Sequence, residues 1–78
     1  MWEKELARKK NVLASNIKRI RLESGLAQER LALEAGVDRT LVSKIERLVA
    51  NPSLEILVKL ATALNVSVDV LLQDRGAK

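Results

Sequence analysis

The chain predicts a compact, all-α domain of five helices. Three observations point there. Apolar residues recur at spacings of three and four along most of the length, which puts them on one face of a helix. Only three Gly and one Pro interrupt the 78 residues. Polar capping residues (Asp38, Ser53, Ser67) stand just ahead of three of the apolar segments.

The first helical pattern runs from about Glu3 to Ser24, with Leu6, Leu13, Ile17 and Ile20 on its apolar side and Gly25 suited to the left-handed position that closes it. The part before Asn11 either frays or forms an N-terminal extension. Trp2 either packs that extension on the body or stays exposed. A second helix fits Gln28 to Ala35, with Leu31, Ala32 and Ala35 inward and Gly36 closing it. Asp38 is placed to cap a third helix from Arg39 to about Leu48. Leu41, Val42, Ile45 and Leu48 face inward there, and Arg39, Thr40, Ser43, Lys44 and Arg47 outward. Asn51-Pro52-Ser53 reads as a turn, and a fourth helix follows from Leu54 to Leu64. Ser67 opens a short fifth helix through about Gln73, and the last few residues are expected to be disordered.

One domain is all that this length allows, with a core at about residues 12–72. Apolar residues make up 47% of the chain, but Trp2 is its only aromatic residue, so the core must be aliphatic. The chain has no Cys and no His. That removes disulfides, thiolate chemistry, Cys/His zinc sites and the commonest acid–base side chain. There is no Gly-rich phosphate loop, and Ser43 lacks an evident base, so catalysis is not expected. No cofactor or small-molecule ligand is expected either. No segment approaches a membrane span or a secretory signal, and the expected address is the cytoplasm. Net charge is +4 and unevenly placed. Lys4, Arg8, Lys9, Lys10, Lys18, Arg19 and Arg21 face only three Glu within residues 1–24, whereas residues 25–78 are balanced. An acidic polymer would feel that asymmetry.

Residues 28–47 carry the decisive spacing. Two short helices joined by Gly36-Val37-Asp38 can cross closely only if the first offers a small residue at the crossing, and Ala32 is that residue. Gly36 allows a positive φ in the turn, Val37 plugs it from inside, and Val42 and Ile45 bury the second helix. Ala, Gly, Val and Ile at offsets 4, 8, 14 and 17 from Gln28 form the pattern of a DNA-binding helix-turn-helix.

Several strings resemble the Cro/phage-repressor-like (XRE) family: Leu26-Ala27-Gln28-Glu29-Arg30-Leu31-Ala32, Gly36-Val37, Ile45-Glu46-Arg47, Asn51-Pro52-Ser53-Leu54 and Ala63-Leu64-Asn65-Val66-Ser67-Val68. The resemblance covers about residues 12–72. Asp38-Arg39-Thr40, Ser43 and Ile45-Glu46-Arg47 before Asn51-Pro52-Ser53 look most like the controller proteins of restriction–modification systems. The family resemblance implies a repressor-like domain that binds duplex DNA and regulates transcription, in a restriction–modification operon or in a prophage or plasmid switch, and the apolar surface of the fourth and fifth helices points to a homodimer. The resemblance also implies that Arg21 pairs with Glu46 to tie the first helix to the third, and that Gln28 contacts a phosphate. Three positions depart from the family pattern. Ala27 replaces a capping Thr, Ser or Asn, which costs about 1 kcal/mol. Leu48 replaces a Gly, so the loop to Pro52 takes another path or the third helix runs longer. Leu41 replaces the aromatic of controller proteins.

The remaining roles follow from side-chain chemistry. Arg39 can pair with guanine O6 and N7, Thr40 offers a methyl and a hydroxyl, and Ser43 and Lys44 lie one turn further along. These four are the expected base contacts, and Gln28, Lys18, Arg19 and Arg47 the expected phosphate contacts. Lys4, Arg8, Lys9 and Lys10 either touch DNA outside the central site or keep the chain soluble. Ile56, Val58, Val68, Val70 and Leu71 are candidates for a twofold interface, or else complete the monomer core. The alternative function is a helical protein-interaction module, such as an antitoxin-like partner-binding protein. Activation rather than repression would require contact with RNA polymerase, and no surface stands out for it.

Overall fold

The computed structural model describes residues 1–75 as five helices: α1 (Trp2–Glu23), α2 (Gln28–Ala35), α3 (Leu41–Glu46), α4 (Leu54–Ala63) and α5 (Val68–Leu71). The end of the tail expected to be disordered, residues 76–78, lies outside the described residues. α1 packs on α3 and α5, α2 packs on α3 and α4, and α4 packs on α5. The shared core is aliphatic, as the composition requires. Ile17, Leu31, Val42, Ile45, Leu60 and Leu71 are its largest fully buried side chains.

α1 is continuous from Trp2, so the segment before Asn11 extends the first helix. Glu3 and Glu5 lie in its first turn, where negative charge suits the helix dipole. Trp2 remains 68% exposed. α3 is shorter than its outward pattern suggested. Arg39 and Thr40 form a turn, and the Leu41 N–H reaches only three residues back, to Asp38 O at 3.0 Å. Asp38 does not cap α3, whose N-cap is Thr40 with no side-chain cap bond; it closes the turn before the helix instead. Its Oδ1 accepts the Thr40 N–H at 2.8 Å and the Thr40 hydroxyl at 2.7 Å. These bonds hold the Asp38 carboxyl below its ordinary pKa. Ser53 caps α4 by accepting the Ile56 N–H at 3.2 Å, whereas Ser67 makes no cap bond with its side chain.

Four helices end with the same device, a Schellman motif. Its signature is a pair of N–H bonds, one reaching three residues back and the next reaching five. They are Gly25 to Leu22 with Leu26 to Arg21, Gly36 to Leu33 with Val37 to Ala32, Leu48 to Ile45 with Val49 to Lys44, and Asn65 to Thr62 with Val66 to Ala61. The motif needs a left-handed residue, and these have φ of 72°, 71°, 66° and 61°. Gly and Asn adopt that conformation readily, but Leu does so only at a cost of roughly 1–2 kcal/mol. Leu48 therefore follows neither route expected of it. The helix does not lengthen and the exit keeps the path a Gly would take, with the strain held in one backbone residue.

Candidate nucleic-acid interface

α2 and α3 are held as the spacing predicts. Ala32 is 0% exposed, which permits the close approach of the second helix. Gly36 takes a left-handed φ of 71° with open space where a Cβ would stand, so its requirement is backbone conformation rather than room. Val37 is half-buried under the turn, and Val42 and Ile45 are buried.

A buried polar seam fixes α3 against α1. Arg21 Nε donates to Glu46 Oε2 at 2.8 Å, and Nη2 donates to Glu46 Oε1 at 3.0 Å. The two side chains are only 8% and 7% exposed, so the pair is buried rather than superficial. The third Arg21 nitrogen donates to Leu26 O at 2.8 Å, which also fixes the α1–α2 connection. Gln28 Nε2 donates to Glu46 Oε1 at 2.9 Å. Burial pushes the Glu46 pKa up. The Arg21 and Gln28 hydrogen bonds, with the charges of Arg21 and Lys18, outweigh that effect and hold it below the usual carboxylate range. The hydrogen bond to Glu46 correspondingly raises the Arg21 pKa, against the opposing effect of burial.

Two features of the polar framework were missed at the level of sequence. One is the bond from Gln28 to Glu46, which turns a pair into a triad. The other is Asn16, 4% exposed, whose amide donates to Leu71 O at 2.9 Å and Gln73 O at 2.8 Å. It anchors the end of α5 on α1. The signal was available: Asn16 lies three residues after Leu13 and four before Ile20, at core spacing.

The outward face of α3 and the turn before it presents Arg39, Thr40, Lys44 and Arg47, all exposed, with Ser43 half-buried among them. Arg39 is 79% exposed on its side chain and makes only a loose 3.4 Å contact to the equally open Glu29. Arg47 Nε donates to Ser43 Oγ at 3.2 Å, which orients both side chains. Lys18 lies on α1 one turn before Arg21, and its charge bears on Glu46. Arg19 points elsewhere. It binds Asn16 Oδ1 at 3.2 Å and Glu23 at 3.6 Å, and it lines a groove with Gln73 and Asp74 on the α5 side. The structure therefore separates Arg19 from the other expected phosphate contacts.

The expected twofold interface is also redistributed. Leu71 is 0% exposed and is core within one chain, because α5 is pinned inward by Asn16. Ile56, Val68 and Val70 are half-buried against that core. Val58 is 47% exposed, and it shares a face of α4 with Leu54, 69% exposed, four residues earlier. Leu54 and the 63% exposed Val49 were not among the expected interface residues. Val49 lies in the loop after α3, where spacing carries no periodic signal, and Leu54 is the first residue of α4.

Among the described residues, no helix is long and apolar enough to cross a membrane, and no three His, Cys, Asp or Glu are grouped to hold a metal ion.

A small-residue crossing, a left-handed turn and an exposed polar second helix define a DNA-binding helix-turn-helix domain. Comparison with known proteins agrees: residues 17–71 match the helix-turn-helix family, and the chain belongs to this family of transcriptional regulators. Control protein C.SmaI of Serratia marcescens is 42% identical over 69 residues, covering 88% of this chain and 82% of that one. The crystal structure of the hypothetical transcription factor NHTF from Neisseria superposes with a TM-score of 0.84 at 40% identity, over 86% of this chain and 77% of that one. The restriction–modification controller protein C.AhdI from Aeromonas hydrophila superposes with a TM-score of 0.76 at 37% identity, over 80% of this chain and 94% of that one.

Proposed function

We propose that this chain regulates transcription as a homodimer on a near-palindromic operator, and that it acts as a controller of a restriction–modification operon. The observation that carries the reading is the contrast on α3. Its inner edge is locked by a buried bidentate ion pair, while the outer face around it leaves Arg39, Thr40 and Lys44 exposed. Such a helix is preorganised before it meets a ligand, so little ordering cost remains on binding.

In this reading Arg39 pairs with a guanine edge, Thr40 turns its methyl to a thymine methyl, and Ser43 and Lys44 extend the contact by one turn. Gln28 keeps one amide hydrogen beyond its bond to Glu46, and that hydrogen can meet a phosphate beside the N-terminus of α2. Lys18 and Arg47 complete the backbone contacts, and Arg19 is left out of the set. Two copies joined through the exposed face of Leu54 and Val58 would place two recognition helices about one DNA turn apart, roughly 34 Å. The half-buried Ile56, Val68 and Val70 would flank that contact. The proposed site of action is the cytoplasm, with no catalytic step and no cofactor. Contact with RNA polymerase belongs to the reading only if the chain activates.

Selection of bound sequences from a random duplex library tests all of this together. Enrichment of a sequence with dyad symmetry and half-sites about one helical turn apart is expected. Failure to enrich any sequence would favour the competing reading, a protein-interaction module that uses the exposed Leu54–Val58 face for a different partner.

A further inference from the structure

The N-terminal half of α1 holds four cations, and the structure sorts them. Arg8 Nη2 lies 2.8 Å from Asp74 and its Nη1 lies 3.5 Å from Glu5. Lys9 lies 3.8 Å from the same Glu5. Lys4 and Lys10 form no ion pair among the described residues, and neither does Lys18 further along. Two cations are thus neutralised by neighbours, and three are not.

Two of the three unneutralised lysines share a face. Lys4, Asn11 and Lys18 follow at intervals of seven residues, which places them on one face of the continuous helix. Lys4 and Lys18 are about 21 Å apart along the axis at 1.5 Å per residue, long enough to pass several phosphates of one strand. Lys18 is at the α3 end of this row, one turn before Arg21, which grips Glu46. Lys10 stands off that row, about 100° around the helix from Asn11. It lines one surface depression with Trp2, Ala7, Asn11 and Leu48, and a second with Asn51 and Pro52. Leu48 immediately follows Arg47, the last residue of the outward face of α3. The extension of α1 therefore borders the segment by which the chain leaves its recognition helix.

We propose that Lys4, Lys10 and Lys18 form a phosphate track along α1 that extends the DNA footprint beyond the recognition helix. The inference rests on the DNA-binding reading above and assigns to it a second, sequence-independent contact surface. One carboxylate stands beside it: Glu3 lines the depression shared by Trp2, Lys10 and Leu48 and pairs with the amino terminus at 3.4 Å. Its removal should therefore strengthen binding, an effect that a solubilising helix would not show.

The test uses the full chain on a random-sequence duplex three helical turns long, with affinity measured across a range of salt concentrations. Each phosphate contact contributes about 0.9 to the slope of log K against log salt, so Lys4→Gln with Lys10→Gln should flatten it by about 1.8. Arg8→Gln with Lys9→Gln, which removes the same charge from paired positions, should leave the slope at the parental value. Glu3→Gln should tighten binding at low salt and needs no loss of a cation to be read. Thermal melting checks that each variant folds. An unchanged slope in the Lys4/Lys10 variant, or equal flattening in the Arg8/Lys9 variant, overturns the track while the parent still binds DNA. A parent with no salt-dependent duplex binding overturns the DNA reading itself, and the track with it.

Discussion

Two arginine–glutamate contacts in this domain share their chemistry and differ in their setting. Arg21 and Glu46 are bidentate and almost fully enclosed, whereas Arg39 and Glu29 meet at 3.4 Å with about three quarters of each side chain in solvent. The enclosed pair has lost its water, so its geometry is all that offsets the desolvation of two charges. The open pair is screened and contributes little. The comparison teaches how the domain divides its charge. One arginine is committed to holding α3 in place, and the other stays uncommitted on the surface that α3 presents.

Breaking the enclosed pair should have the largest effect. Glu46→Ala leaves the Arg21 guanidinium buried without its partner and should cost about 3–5 kcal/mol in denaturant unfolding. Glu29→Ala, at the open pair, should cost less than about 0.5 kcal/mol. Equal costs would erase the distinction. The pH dependence has a definite sign. The Glu46 pKa is lowered in the folded state, so its contribution is present above the unfolded carboxylate pKa, about 4.3. It is lost as pH falls through that value and below. Thermal melting should therefore decline on acidification below about pH 5, and Glu46→Gln should flatten that decline.

On the open side, Arg39→Ala should leave stability nearly unchanged and weaken binding to the selected operator by about 1–3 kcal/mol, with much less loss on random duplex. Equal loss on both would remove Arg39 from base reading.

The two ends of the helix-turn-helix sharpen the comparison at a smaller scale. Gly36 and Leu48 adopt nearly the same left-handed φ, 71° and 66°. Gly36→Ala should cost about 1 kcal/mol from backbone strain alone, since nothing lies within 4 Å of an added Cβ. At position 48 the usual helix ranking should reverse. Leu48→Gly should be more stable than Leu48→Ala by roughly 0.5–1 kcal/mol, because only Gly relieves the φ. The opposite order in chemical denaturation would mean that residue 48 leaves this conformation once its side chain is removed.

Much of the fold was legible because helical periodicity and punctuation are local signals. The apolar stripe of α1, the Ala32–Gly36 crossing and the Ser53 cap were all written at fixed spacings. The Arg21–Glu46 pair lies 25 residues apart in the chain. No local rule joins such positions, and it was foreseen only through resemblance to a family. The boundaries of α3 were harder to place. Arg39 and Thr40 continue its outward pattern, but a side-chain turn at Asp38 delays the helix. Apolar content alone could not say which residues of α4 and α5 face outward. Leu71 went inward because Asn16 binds its carbonyl, and Leu54 and Val58 were left outside.

The reading depends most on α3 entering a major groove with Arg39 at a guanine edge. Methylation interference on the selected operator probes that contact directly, because N7 of guanine is one of the two acceptors a guanidinium takes there. The account predicts that N7 methylation of one guanine in each half-site blocks the parent chain, and that Arg39→Ala becomes insensitive at that guanine. Interference confined to minor-groove positions, or a pattern that Arg39→Ala leaves unaltered, would contradict it.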